Sequence, residues 1–137
     1  MKSLKSEIPD TTKKSIQEAS AGIQKNLHKL RELVLEVASD PDIGGVEETL
    51  KWNAPSFIAR SGKGTTLRLE HKESSFFLRV HCQSRVVDRF RTAGHPDFEF
   101  DGTRGLQFSA TETLKGKDRI QGIKDFIRLA LTYHSWK

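Results

Sequence analysis

TTLRLEHKESSFFLRVHCQ, Thr65 to Gln83, is the stretch on which the fold turns. Each half alternates apolar and polar residues with a period of two and is rich in branched and aromatic side chains, the pattern of half-buried strands. KESS, Lys72 to Ser75, separates them, and so short a connection admits only an antiparallel pair. Alternation then assigns sides. Leu67, Leu69 and His71 share one face with Phe76, Leu78, Val80 and Cys82; Thr66, Arg68 and Glu70 share the other with Phe77, Arg79, His81 and Gln83. With the first set turned to the core, the second face carries Arg68, Phe77, Arg79 and His81. An aromatic floor with cationic and imidazole groups is one way a small anion site is built. The bland reading of the same residues is the polar outer face of a half-buried sheet.

Working outward, SFIAR (Ser56 to Arg60) continues the two-residue period upstream, joined through the turn GKG, Gly62 to Gly64. Downstream, Val86, Val87 and Phe90 restore a helical period from Ser84, a candidate N-cap, to about Ala93, where Gly94-His95-Pro96 ends it. FEF and LQFSA flank DGTRG, a second hairpin with a strong turn signal at Asp101-Gly102. Lys117 to about Tyr133 places Ile120, Ile123, Ile127, Ala130 and Leu131 on one helical face, with Asp118 at the favourable end of the dipole. At the other end, Ile16, Ala19, Ile23, Leu27, Leu30, Leu33, Val34 and Val37 form the stripe of one long helix, with Asp10, Thr11 and Thr12 as candidate caps and Asp40-Pro41 as its stop. A short helix is expected from Asp42 or Gly45 to Lys51, carrying Val46 and Leu50 inward. It hands over to the sheet at KWNAPSF, where Pro55 forbids helix and Asn53 can turn left-handed. That joint would hold Trp52 and Phe57 at one end of the Arg68/Arg79/His81 face.

The expected architecture is a single two-layer α+β domain. An antiparallel sheet of about five strands carries the N-terminal and C-terminal helices on one face. The domain spans 15–137 behind a flexible polar lead-in, 1–14.

The totals agree with one small domain. The chain has 137 residues, 35% of them apolar and 30% charged, which suits a core of its own and argues against wholesale disorder. Cys82 is the only cysteine, so an intramolecular disulfide and a thiolate-rich zinc site are both excluded. A reducing, cytoplasmic setting follows, with Cys82 read as a small buried hydrophobe. No apolar run approaches the roughly 20 residues of a membrane span, and the lysines of the N-terminus have no apolar stretch behind them. The net charge of +5 is concentrated: residues 60–91 hold eight basic and three acidic groups, while the flanking segments nearly balance. Most of that excess is arginine, whose planar fork suits a carboxylate or phosphate; a solvated face is the alternative.

No motif supplies a catalytic constellation. SGKGTT lacks the first glycine of a phosphate-binding loop, and Gly64 stands where Ser or Thr should follow the lysine. The five histidines match no metal-ligand spacing. Asp97, Glu99 and Asp101 alternate with Phe98 and Phe100, a row that suits either an oxygen-ligated cation or a solvated strand edge. His81 has the pKa class of a general base but no identifiable partner. Glu70, Glu73 and Asp88 interrupt the arginines and no recognition motif is present, so specific nucleic-acid binding is not expected. An exposed Phe77, or Tyr133 with Trp136, would offer a dimer patch, leaving monomer and homodimer both open.

KWNAPSF, GTTLRL, FFLRVHCQ, VVDRFR, FEFDGTRGLQF and LALTYH, in this order from about Leu27 to His134, resemble the YdhG-like family of bacterial domains of unknown function. Its Trp-x-x-Pro-x-Phe core is matched by Trp52, Pro55 and Phe57. The resemblance implies an α+β domain and brings no settled activity. Through one branch of such proteins it implies a frataxin-like iron chaperone for iron–sulfur cluster assembly. The expected function is a non-enzymatic binding module for a small anionic ligand or an acidic protein segment, at Trp52, Phe57, Arg68, Phe77, Arg79 and His81. No cofactor is specified, no metal ligand is assigned, and no membrane partner is expected.

Overall fold

A computed structural model describes residues 8–95 and 97–137. The first seven residues of the expected lead-in, and Pro96 of the expected helix stop, lie outside the described residues. In chain order the elements are α1 (Asp10–Gln17), α2 (Ala21–Ala38), β1 (Val46–Lys51), β2 (Ala54–Ala59), β3 (Leu67–His71), β4 (Ser75–Arg79), α3 (Val86–Thr92), β5 (Glu99–Phe100), β6 (Gly105–Ser109), α4 (Lys117–Leu131) and α5 (Tyr133–Trp136). The strands form one sheet in the order β1-β2-β3-β4-β6-β5, antiparallel at every pairing. This is the expected α+β fold with helices at both ends of the chain, and its sheet has six strands where about five were expected.

The extra strand is β1, where a short helix was expected. Gly44 and Gly45 both take positive φ (77° and 92°), so no helix can propagate through them. The next six residues pair in full register with β2, Val46 opposite Ala59 and Lys51 opposite Ala54. KWNAPSF is therefore a hairpin and not a helix-to-sheet joint. Trp52 and Asn53 form its two-residue turn with φ 52° and 62°, the double left-handed geometry that follows strand twist in a type I′ hairpin. Asn53 is left-handed as expected, in a different element.

A glutamate hid the alternation of β1. Val46, Glu48 and Leu50 share the helix-side face, opposite Ala59, Phe57 and Pro55. Glu48 is tolerated there because Arg31 of α2 meets it with two bonds of 2.8 Å and Thr12 of α1 donates a third at 2.9 Å. An inward charge on an edge strand also discourages pairing with another chain.

The long N-terminal helix divides. α1 ends at Gln17, and Ser20 restarts the chain in an extended conformation (ψ 159°) ahead of α2. Ile16 and Ala19 remain buried, so the stripe persists across the break. Residues 10–14, expected in the flexible lead-in, are the first turns of α1.

The core fills the space between helices and sheet. Phe76 and Phe108 stack across β4 and β6 with centroids 5.0 Å apart, and Phe90 of α3 meets Phe98 and Phe126 edge-on. Gly105 permits the close β4–β6 approach: a Cβ there would collide with the Leu78 carbonyl oxygen and stand 2.8 Å from the Arg79 Cα. The GKG turn is equally structural. A Cβ on Gly64 would stand 2.8 Å from the Leu131 backbone, and the Thr65 and His134 amides bond the Ala130 and Lys63 carbonyls. No helix among the described residues is long and apolar enough to cross a membrane.

Candidate functional site

The sheet face away from the helices takes alternate residues of β2, β3, β4 and β6. Ser56 pairs with Arg68, Arg68 with Arg79, and Arg79 with Gly105, while Glu70 pairs with Phe77 and Phe77 with Gln107. The two arginines that alternation assigned to this face are thus direct cross-strand neighbours.

Two like charges in that position repel unless counter-charges intervene. Here they do. Glu70 bonds the Arg79 guanidinium and lies 3.4 Å from the Arg68 Nε. Asp101, held by the β5–β6 turn, accepts from the Arg79 Nε and Nη2 at 2.9 and 2.7 Å. The Arg79 guanidinium also stands over Phe77, 4.0 Å from its centroid. Arg79 is in consequence only 9% exposed, and Phe77, expected to be an exposed floor or dimer patch, is covered by Arg79 and Lys72. Arg79 clamps β3, β4 and the β5–β6 turn together.

Two expected members, Phe57 and His81, fall outside this group, and Cys82 leaves the core side to which it was assigned. Phe57 pairs with Leu67 on the helix side and is fully buried, so it belongs to the core and not to a ligand surface. His81 lies beyond the end of β4, exposed, its Nδ1 accepting the Gln83 amide hydrogen bond at 3.1 Å in a local turn. Cys82, expected buried, is exposed in the same turn. Alternation fails there because the chain leaves the sheet once Val80 is buried, and the Ser84 amide bonds the His81 carbonyl. Ser84 does serve the next helix, its Oγ accepting the Val86 amide at 3.3 Å, although Arg85 holds the N-cap position.

Trp52 and Arg68 remain as the accessible groups. Trp52 is 78% exposed at the hairpin tip, and the Arg68 guanidinium stands 5.5 Å from its ring. The tip is braced from behind by α1, where Ser15 donates to the Asn53 carbonyl at 3.2 Å. A bulky residue in left-handed backbone is uncommon and costs energy, while Asn-Gly would satisfy this turn at less cost. The sequence reading missed this because Trp52 was taken as a helix end and the inward Glu48 broke the alternation of β1.

The arginine excess is dispersed over the fold. Arg68 and Arg79 lie on the sheet face, Arg85 and Arg89 on α3, and Arg91 over Phe100 at 4.7 Å. Asp101 of the acidic row is committed to Arg79, Glu99 is exposed, and the Asp97 carbonyl accepts from Arg119. Among the described residues no group of three or more His, Cys, Asp and Glu is placed to hold a metal ion. Asp40 titrates below its ordinary value because the Asp42 amide bonds its carboxylate and Arg128 pairs with it.

Fold and site together define a two-layer α+β domain with an ion-paired outer sheet face and an aromatic hairpin tip beside a partly exposed arginine. No family model matches the chain, and neither a curated protein nor a solved structure matches it.

Proposed function

We propose that the protein is a non-enzymatic binding module of the YdhG-like type, whose β1–β2 hairpin tip docks an acidic segment of a partner protein. The observation that carries this reading is Trp52, 78% exposed in a left-handed conformation beside Arg68. Tryptophan and arginine are among the residue types enriched at the energetic centres of protein interfaces. The indole supplies contact area, and Arg68, bound only loosely at 3.4 Å by Glu70, can turn to a partner carboxylate. In the Trp-x-x-Pro-x-Phe core that carries the YdhG-like resemblance, Trp52 is presented, Pro55 is buried beside the turn, and Phe57 anchors the hairpin in the core. Arg79 and Phe77 position the face and do not touch the partner.

The test is fluorescence anisotropy with a labelled Glu/Asp-rich peptide at low salt. Binding should weaken about tenfold or more in Arg68→Ala, the loss of one charge-assisted bond. Equal affinity for the variant and the natural protein would sink the reading.

A further inference from the structure

A concave site lies on the helices, between α3 and α5. It is a cleft of about 480 Å³, within the size range of small-molecule sites. Arg85, Asp88 and Arg89 line it from one side of α3, spaced three and four residues apart, while Val86, Val87 and Phe90 bury the other side. Tyr133 and Trp136 form the opposite wall, edge to face with centroids 5.3 Å apart, and the Trp136 indole N–H donates to the Leu129 carbonyl at 2.9 Å. That bond fixes the ring. The Arg89 guanidinium stands 5.1 Å from the Trp136 ring and the Lys137 ammonium 5.7 Å from the Tyr133 ring. Among the described residues Arg85, Arg89 and Lys137 form no ion pair, in contrast to Arg68 and Arg79.

Backbone geometry marks the same place. Among the described residues only three besides glycine take positive φ: the hairpin-tip pair Trp52 and Asn53, and Arg85 at 68°. Strain of this kind collects at ligand-contacting positions.

We infer that this cleft binds a small organic anion, a flat ring bearing one phosphate or carboxylate group. The ring stacks on the Tyr133/Trp136 wall, and the anionic group is taken by Arg85, Arg89 and Lys137. Three side-chain cations face one side-chain carboxylate, so a single anionic group is favoured; a polyphosphate would bring further charge against Asp88. This site shares no residue with the hairpin tip and stands independently of the function proposed for it.

The chain has two tryptophans, so a Trp52→Asn background leaves Trp136 as the only indole reporter. In that background AMP and phenyl phosphate are titrated against Trp136 emission, with inorganic phosphate and adenosine as the two halves of the ligand. Saturable change is expected with AMP or phenyl phosphate, and each half alone should bind at least about tenfold more weakly. Arg85→Gly, which suits the left-handed backbone, and Arg89→Ala should each weaken binding about tenfold. Asp88→Asn should tighten it. Arg91→Ala, on the same helix but outside the cleft, should leave it unchanged. No saturation with either compound up to about 10 mM would overturn the inference. So would an Arg91→Ala loss equal to that of Arg89→Ala, which would mean diffuse charge and not a site.

Discussion

Replacing Trp52 by asparagine should leave the fold as stable as before or make it more so, which is the reverse of what removing a tryptophan ordinarily does. A buried Trp→Ala change costs about 3–5 kcal/mol through lost burial and the cavity left behind. Trp52 is 78% exposed, so little burial is at stake and no cavity forms. Left-handed backbone costs an ordinary L-residue roughly 1–2 kcal/mol, a penalty that asparagine largely escapes. Against that gain stands the Arg68–indole contact at 5.5 Å, worth about 0.5–1 kcal/mol at an exposed site. The balance predicts a change between zero and about 1.5 kcal/mol in favour of the variant. Adding Asn53→Gly, to give the Asn-Gly pair that type I′ turns prefer, should raise stability further. Urea denaturation followed by far-UV circular dichroism reads this directly as a shift in midpoint at constant slope. A loss exceeding about 1 kcal/mol would refute the reasoning, because the indole would then be part of the fold's own packing.

Further outcomes follow from the buried and paired charges. Arg31→Ala should cost about 3–5 kcal/mol by leaving Glu48 unpaired on the helix side, whereas Arg31→Leu with Glu48→Leu should recover most of that loss in the same denaturation assay. Arg79→Ala should lower stability by about 2–3 kcal/mol, since it removes the partner of Asp101, leaves Glu70 only its 3.4 Å contact with Arg68 and uncovers Phe77, while Arg68→Ala should shift the midpoint little. Asp40 has a folded pKa below its ordinary value, so its contribution is present above the ordinary carboxylate range and is lost as pH falls through the folded value. The stability gap between the natural protein and Asp40→Asn, followed by thermal melts from neutral to acid pH, should therefore close only at the acid end.

The sequence was most legible where alternation, turn chemistry and core residues agreed. Leu67, Leu69, Phe76 and Leu78 were assigned to the core side and Arg68 and Arg79 to the other, and the observed register makes those arginines neighbours. β1 was illegible because its central inward position is a glutamate, made tolerable by Arg31 and Thr12, both distant in sequence. Phe57 was misplaced as a result: the expected helix before it gave no register with which to choose its face. His81 and Cys82 were misassigned by extending a period of two past the last paired residue, Arg79. The arginine excess was real in sequence, but folding divides it between the sheet face and α3. The α3 stripe of Arg85, Asp88 and Arg89 was visible in the spacing, yet the Tyr133/Trp136 wall that makes it a cleft arrives from the far end of the chain.

Nitrogen–proton correlation spectra of the 15N-labelled protein, titrated with an unlabelled hexaglutamate peptide, test the central claim most directly, since the two tryptophan indoles report separate places. The account predicts saturable shifts of the Trp52 indole and of the backbone amides from Lys51 to Asn53, with the Trp136 indole unmoved. The same titration of Arg68→Ala should leave Trp52 in place. A Trp52 signal that does not move, or shifts spread evenly over every basic residue, would contradict it.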